Sequence, residues 1–168
     1  MFIGVPAETV AGETRVAATP ETVKKLTALG HGLRVQSGAG LAASVTDAAY
    51  EAAGAEITDA AGAWGAPLVL KVRCPSEAEA PWLRSGTTLV GMLNPFDAAG
   101  LQRLAAAGVT AYALEAAPRT TRAQSMNVLS SQANIAGNNA VMIAANRHHR
   151  LFPMLMTAAG TVKAARVV

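Results

Sequence analysis

The sequence predicts an α/β fold in which a mostly parallel sheet is flanked by helices. Three observations lead to this prediction. The chain has 168 residues, which is the length of one domain. Hydrophobic residues make up 51% of the chain and charged residues only 15%, so we expect a sizeable buried core. Short apolar runs alternate with helix-like segments, and this alternation is typical of parallel sheets with helices on both faces.

The first half of the chain begins this alternation. An apolar run at 2–5 predicts a buried strand, and Pro20 then begins a helix pattern that stops at Gly30. A second strand is predicted at 33–36. A helix with a polar start and a glycine stop is predicted at 46–54.

The second half continues the same pattern. Bounded apolar runs at 67–72 and 87–92 suit buried strands, a helix is predicted at 97–107, and another strand at 109–114. Together these elements predict a Rossmann-like or flavodoxin-like arrangement of layers for residues 1–125.

A polar segment follows the last of these strands and leads into a long predicted helix. Its polar residues are Arg119, Thr120, Thr121, Arg122, Gln124, Asn127 and Ser130. Asn127 and Ser130 are three residues apart, which places them on one helical face. This convergence indicates a site for chemistry. By spacing alone, a solvated surface loop that leads into a core helix remains the alternative.

The helix predicted at 126–150 has a narrow apolar face that consists mostly of alanine. Its apolar positions recur at steps of four and three from Leu129 to Ile143. Glycine at position 137 costs a helix roughly 1 kcal/mol relative to alanine. We therefore expect this face to be buried, with Gly137 allowing close approach of another helix.

Composition and patterning argue against several classes of protein. Cys74 is the only cysteine, so no intramolecular disulfide can form. No apolar run approaches the roughly 20 residues that cross a bilayer, which predicts a soluble, cytoplasmic protein. The net charge of +3 is spread without a basic stripe, so no nucleic-acid partner is predicted. Adjacent His148 and His149 diverge on a helix and predict no metal site.

One long motif indicates a family. The run at 122–137, RAQSMNVLSSQANIAG, resembles the signature of the NAD(H)-binding alpha subunit of proton-translocating nicotinamide nucleotide transhydrogenases. Segments 3–6, 13–20, 37–40 and 70–72 are similar to the family that this subunit shares with alanine dehydrogenase. The resemblance implies NAD(H) as cofactor, a homodimer, and partner components that bind NADP(H) and span the inner membrane.

The resemblance also implies roles for the polar segment. Arg119 matches an arginine near the nicotinamide, and Gln124 matches a residue at the interface with the NADP(H)-binding component. Thr120, Thr121 and Arg122 belong to the same cofactor-binding loop. Asn127 and Ser130 match the polar cluster that aligns the two nicotinamide rings for hydride transfer, although the family pattern has aspartate where this chain has Asn127. A carboxylate accepts hydrogen bonds roughly twice as strongly as a neutral amide.

Three residues bear on the alanine dehydrogenase alternative. Arg15 and Lys71 match residues that bind the substrate carboxylate and carbonyl in that enzyme. Asn94 stands where that enzyme has its proton-transfer histidine, and asparagine cannot act as an acid or base at neutral pH. An amino-acid oxidoreductase is therefore disfavoured. A solvated arginine and a strand-end lysine remain the alternatives for the first two residues.

Residues 151–168 are interpreted as the start of a nucleotide-binding domain. In the resembled family a strand beginning near residue 164 leads into a glycine-rich Gly-x-Gly-x-x-Gly turn. Residues 1–168 do not contain this turn. The glycine-containing segment 37–40 is too short to serve as such a phosphate-binding turn. The sequence thus predicts the N-terminal portion of a transhydrogenase alpha subunit, inactive by itself. A truncated, non-catalytic dimerisation or docking module is the alternative.

Overall fold

Six parallel strands form the sheet that organises the first portion of the chain. The computed structural model describes residues 1–118, 120–148 and 152–166, and the chain divides into the units Met1–Met126 and Asn127–Val168. The strand order of the sheet is β3-β2-β1-β4-β5-β6. The strands are β1 Phe2–Val5, β2 Gly32–Gln36, β3 Glu56–Thr58, β4 Leu68–Arg73, β5 Thr88–Met92 and β6 Thr110–Ala113. This is the doubly wound order, which reverses direction between β1 and β4.

Four helices connect these strands: α1 Pro20–Ala28, α2 Asp47–Ala52, α3 Ala60–Trp64 and α4 Ala98–Ala106. A side chain before each helix accepts a hydrogen bond from a backbone N–H of the first turn, which satisfies a donor that the helix itself leaves unpaired. These capping residues are Thr19, Thr46, Asp59 and Asp97. The predicted fold class is confirmed. Strand β3 and helix α3 were not predicted, because with only 3 and 5 residues they show no readable periodicity.

Helices cover both faces of the sheet. Successive residues of a strand point to opposite faces, and β1 shows the two environments directly. Ile3 and Val5 pack in one core cluster with residues of α1 and α2. A Cβ added to Gly4, which lies between them, would meet the backbone of Ala63 in α3. A second cluster is formed by Trp64, Val69, Leu89, Leu93 and Leu104.

The second unit consists of helix α5, Val128–Arg147, and an antiparallel hairpin of β7, Leu155–Thr157, and β8, Gly160–Val162. The long helix is confirmed, but its predicted burial is wrong for the described residues, since α5 contains no buried residue. A Cβ at Gly137 would meet nothing within 4 Å. The strand predicted from residue 164 does not form at 164–166, because no described strand pairs with this segment.

The described residues of the chain contain no helix both long enough and apolar enough to cross a membrane. Over the same residues, no three His, Cys, Asp or Glu side chains are grouped to hold a metal ion. His148 is among the described residues that this statement covers, whereas His149 lies outside them.

Candidate functional site

Charged side chains meet at the carboxyl ends of β1 and β4, where the strand order reverses. Such a reversal point is where open α/β sheets bind their ligands. The cluster combines three carboxylates and three cations: Glu8, Glu13, Glu79, Arg15, Lys71 and Arg73. In a chain with few charged residues, this concentration marks the reversal point, called the crevice below, as a candidate site.

Lys71 is the centre of the cluster, and its side chain has no solvent exposure. Its Nζ lies 2.7 Å from Oε1 of Glu79, 3.3 Å from Oε2 of Glu8 and 3.2 Å from the carbonyl oxygen of Ala7. The Trp64 ring lies beside it, with the Nζ 5.7 Å from the ring centroid. An ammonium group has three N–H donors. Glu79 and the Ala7 carbonyl each accept a hydrogen bond from it, and Glu8 forms a second ion pair with it.

Glu8 connects this lysine to the backbone of β4. Its Oε1 accepts a hydrogen bond from the N–H of Val72 at 2.6 Å, and its Oε2 accepts one from the N–H of Arg73 at 3.2 Å. The Glu8 side chain is only 3% exposed. The loop after β1 is thus attached to the end of β4 by a buried carboxylate.

Glu13 pairs with two arginines at the rim of the crevice. Its carboxylate lies 2.6 Å from Arg15 Nη2 and 2.8 Å from Arg73 Nε. The hydrogen bond from Arg15 is the largest cause that lowers the pKa of Glu13 from 4.5 to about 2, and burial opposes it. The same pairing raises the pKa of Arg15. Both ions therefore stay charged across the physiological pH range.

The pairing of Glu13 predicts a contribution to stability that acid removes. The folded-state pKa lies below the unfolded value, so the contribution is fully present above 4.5 and declines as the pH falls toward about 2. Glu13→Gln should be less stable than the wild type near neutral pH, and the difference should narrow below about pH 4.5. Urea denaturation of both proteins at stepped pH measures this. A difference in the free energy of unfolding between the two proteins that stays the same at every pH would contradict the predicted linkage.

The structure places the predicted residues Arg15 and Lys71 at the same crevice but gives them different surroundings. Lys71 is enclosed, whereas the Arg15 side chain is 34% exposed. Sequence reasoning assigned no role to Glu8, Glu13 or Glu79. The available signal was their position: Glu8 and Glu13 lie in the loop after β1, at the edge where the ends of parallel strands converge.

Asn94 follows β5 at the same edge of the sheet and adopts a left-handed backbone conformation with φ of 50°. Asparagine tolerates this conformation better than most residues. The N–H of Asn94 donates a hydrogen bond of 2.6 Å to Glu115 Oε1, which supports the turn. Asn94, which the resemblance matches to the proton-transfer histidine of alanine dehydrogenase, is thus an exposed residue.

Four described residues of the polar segment, at 120, 121, 122 and 124, lie at the surface. The 3-10 turn Thr121–Met126 carries three exposed polar residues, Thr121, Arg122 and Gln124. Ala123 in the same turn is buried. Thr120 is exposed just before that turn, and its carbonyl accepts a hydrogen bond from the N–H of Ala123. Arg119, which the resemblance places near the nicotinamide, lies outside the described residues.

Asn127 and Ser130 come together at the start of α5. The Oδ1 of Asn127 accepts hydrogen bonds from the N–H groups of Leu129 at 3.1 Å and Ser130 at 3.2 Å. Asn127 is therefore the N-cap of the helix. Its oxygen is engaged in the cap, and its amide N–H₂ carries the remaining two donors.

Comparison with known proteins identifies the family. Residues 4–136 match the family model described as alanine dehydrogenase/PNT, N-terminal domain. The NAD(P) transhydrogenase subunit alpha of Cereibacter sphaeroides is 45% identical over all of this chain and 33% of its own length. The NAD(P) transhydrogenase subunit alpha of Haemophilus influenzae is 40% identical over all of this chain and 33% of its own length.

A solved structure of transhydrogenase from Sinorhizobium meliloti superposes with a TM-score of 0.92 at 46% sequence identity, over 98% of this chain and 50% of that one. This chain thus spans a third to a half of the length of these relatives. The sheet order and the identity over the full chain lead to one conclusion. The chain belongs to the alanine dehydrogenase/PNT N-terminal domain family and is similar to the N-terminal portion of NAD(P) transhydrogenase alpha subunits.

Proposed function

We propose that this chain is the N-terminal portion of an NAD(P) transhydrogenase alpha subunit and positions NAD(H) for hydride transfer to NADP⁺ held by a partner component. In this proposal a membrane-spanning partner couples the transfer to proton translocation, and the alpha subunit stays peripheral to the membrane on the cytoplasmic side. The observation that carries the proposal is the exposed polar turn Thr121–Met126, which leads directly into the Asn127 cap of α5.

The chemistry of hydride transfer suits such a surface. A donor carbon and an acceptor carbon must be held close together with water excluded, so orientation matters more than a strong acid or base. Arg122, Gln124 and Thr121 are exposed donors or acceptors on one short turn. We propose that these side chains, together with Thr120 and Arg119, bind the nicotinamide end of NAD(H).

Asn127 gives the proposal a direct test, because its capping role and its role toward a nucleotide can be separated. Asn127→Asp keeps an N-cap oxygen and adds the stronger acceptor that the family pattern carries. We expect it to raise the rate of hydride transfer in the assembled enzyme by more than about twofold, or about 0.4 kcal/mol in the barrier. Stopped-flow mixing of NADH with an NADP⁺ analogue measures the rate.

Asn127→Ser is the matched control, since serine caps helices as well as asparagine but has no amide. It should preserve thermal stability while changing the transfer rate. Asn127→Ala should lose about 1 kcal/mol of stability through the lost cap. Identical transfer rates in all three variants would show that residue 127 only caps the helix, and the proposed nucleotide contact would be abandoned.

A second candidate function is supported by the exposed apolar surface of the second unit. Large side chains of α5 and the hairpin lie at the surface: Leu129, Ile135, Val141, Met142, Ile143, Met154, Leu155, Met156 and Val162. Contiguous exposed apolar surface marks interaction sites in proteins. A homodimer, or docking onto partner components, would cover it. The same surface also fits the alternative of a non-catalytic docking module.

A further inference from the structure

Phe96 is the most exposed large apolar side chain among the described residues, with 94% of its surface accessible to solvent. Single exposed apolar residues are common on proteins and do not by themselves mark a site. Phe96 differs from them in two respects. It lies on a rigid turn, and that turn is bound to a carboxylate with an unpaired oxygen.

The turn at 94–97 is fixed by its own backbone and by helix α4. The N–H of Asp97 donates a hydrogen bond of 2.9 Å to the carbonyl oxygen of Asn94, which closes a β-turn. Pro95 occupies the second position of this turn, where its ring fixes φ. Asp97 then caps the first turn of α4. A ring held on such a turn loses little freedom when it binds a ligand.

The register of the sheet places this turn between the two polar regions. At the carboxyl end of β5, Met92 pairs with Arg73 of β4, and Gly91 pairs with Ala113 of β6. The segment after β5 therefore starts between the ion cluster and the segment that leads from β6 to the polar turn. Phe96 thus belongs to the edge at which open α/β sheets bind ligands.

Negative charge accompanies the exposed ring. The Oε1 of Glu115 accepts a hydrogen bond from the N–H of Asn94 at 2.6 Å, whereas its Oε2 is buried and has no hydrogen-bond partner among the described residues. Burial is the largest cause that raises the pKa of the Cys74 thiol, and the charges of Asp97 and Glu115 raise it further. Arg103 acts in the opposite direction. A cation bound near the turn would interact favourably with the unpaired Glu115 oxygen.

We propose that Phe96 stacks against the nicotinamide ring of NAD(H) and, together with the charge of Glu115, favours the oxidised form of that ring. Oxidised nicotinamide is a planar cation, whereas the reduced ring is neutral. An aromatic face attracts a cation, and a nearby carboxylate adds to this attraction. The inference rests on the proposed function, in which this portion of the chain positions NAD(H). It adds a residue that distinguishes the two redox states of the nucleotide.

Phe96→Leu tests the contact, because leucine stays apolar but has no aromatic face. In the assembled enzyme we expect it to weaken NAD⁺ binding by about three- to tenfold, and NADH binding by a smaller factor. Phe96→Tyr keeps the ring and should retain both wild-type affinities. Calorimetric titration with each nucleotide measures these changes. Equal losses for NAD⁺ and NADH would contradict the preference for the oxidised ring.

Phe96→Trp gives a readout that does not depend on affinity. A nicotinamide cation stacked on the new indole should quench its fluorescence. The wild type contains Trp64 and Trp82, so its response to NAD⁺ supplies the background. Quenching no greater than this background at saturating NAD⁺ would overturn the contact.

Two further variants separate the ring from its surroundings. Leu29→Ala is the matched control, because Leu29 is 72% exposed but lies between α1 and β2, at the opposite edge of the sheet. It should leave both affinities unchanged. Glu115→Gln keeps an oxygen for the N–H of Asn94 and removes the charge. It should weaken NAD⁺ binding more than NADH binding.

The same titrations distinguish failure of this inference from failure of the proposed function. If the wild-type assembly binds neither nucleotide, both are wrong. If the wild type binds and Phe96→Leu binds equally well, only the role of Phe96 is wrong. Weaker association of the partner components with unchanged nucleotide affinities would show that Phe96 is a docking contact, which also overturns the inference.

Discussion

Lys71→Met is expected to destabilise the Met1–Met126 unit by about 3–5 kcal/mol. Methionine fills a similar volume but leaves Glu8 and Glu79 as buried carboxylates without their shared cation. Removing one partner of a buried ion pair costs far more than the pair contributes, because the remaining charge stays desolvated. Urea denaturation followed by circular dichroism measures the loss.

Two further variants test the cause of that loss. Lys25→Ala removes a lysine whose pair with Glu21 is exposed on both sides, so it should change stability little. Adding Glu8→Gln to Lys71→Met removes one unpaired carboxylate and should recover some of the stability. A Lys71→Met loss as small as that of Lys25→Ala would show that the enclosed ion cluster does not stabilise the fold.

Gly4→Ala is expected to destabilise the same unit by roughly 1–3 kcal/mol or more. The added methyl group would collide with the carbonyl oxygen of Ala63, and it would also lie 3.0 Å from the Cβ of Ala66. These are backbone and short side-chain atoms, which cannot turn away as a long side chain does. Helix α3 would have to move off β1, the strand whose end leads into the ion cluster.

Gly137→Ala is the matched control for this prediction. The new methyl group would meet nothing within 4 Å among the described residues, so only helix propensity changes. The isolated chain should become more stable by about 0.5–1 kcal/mol. Thermal melts of the two variants should therefore shift in opposite directions. A loss on Gly137→Ala would instead indicate that another surface packs closely against α5 in solution.

The two polar regions differ in what they can do. The crevice residues pair with one another: Lys71 has two hydrogen-bond acceptors and a second carboxylate beside it, and Glu13 has two arginines. The polar turn at Thr121–Met126 leaves its side chains exposed. A neutral cluster of mutually paired charges stabilises a fold, whereas exposed donors on a short turn can bind a ligand. This contrast is why the hydride-transfer proposal rests on the turn.

Most of the local structure could be predicted from the amino-acid sequence alone. Apolar runs predicted β1, β2, β4, β5 and β6, and Pro20 together with the polar starts of the segments 46–54 and 97–107 marked where helices begin. These signals can be read because they depend on neighbours within one or two turns of the chain. The family motif likewise lies in one continuous run, at 122–137.

Which charges meet and which apolar surfaces are buried became clear only from the folded chain. Glu8 and the N–H of Val72 are 64 residues apart in sequence, and Glu13 and Arg73 are 60 apart. Their contact depends on the crossover that brings β4 beside β1 in the sheet. The exposure of α5 was misjudged for the same reason. Large apolar side chains lie exposed along α5, and their burial depends on what packs against the helix, which local sequence does not encode.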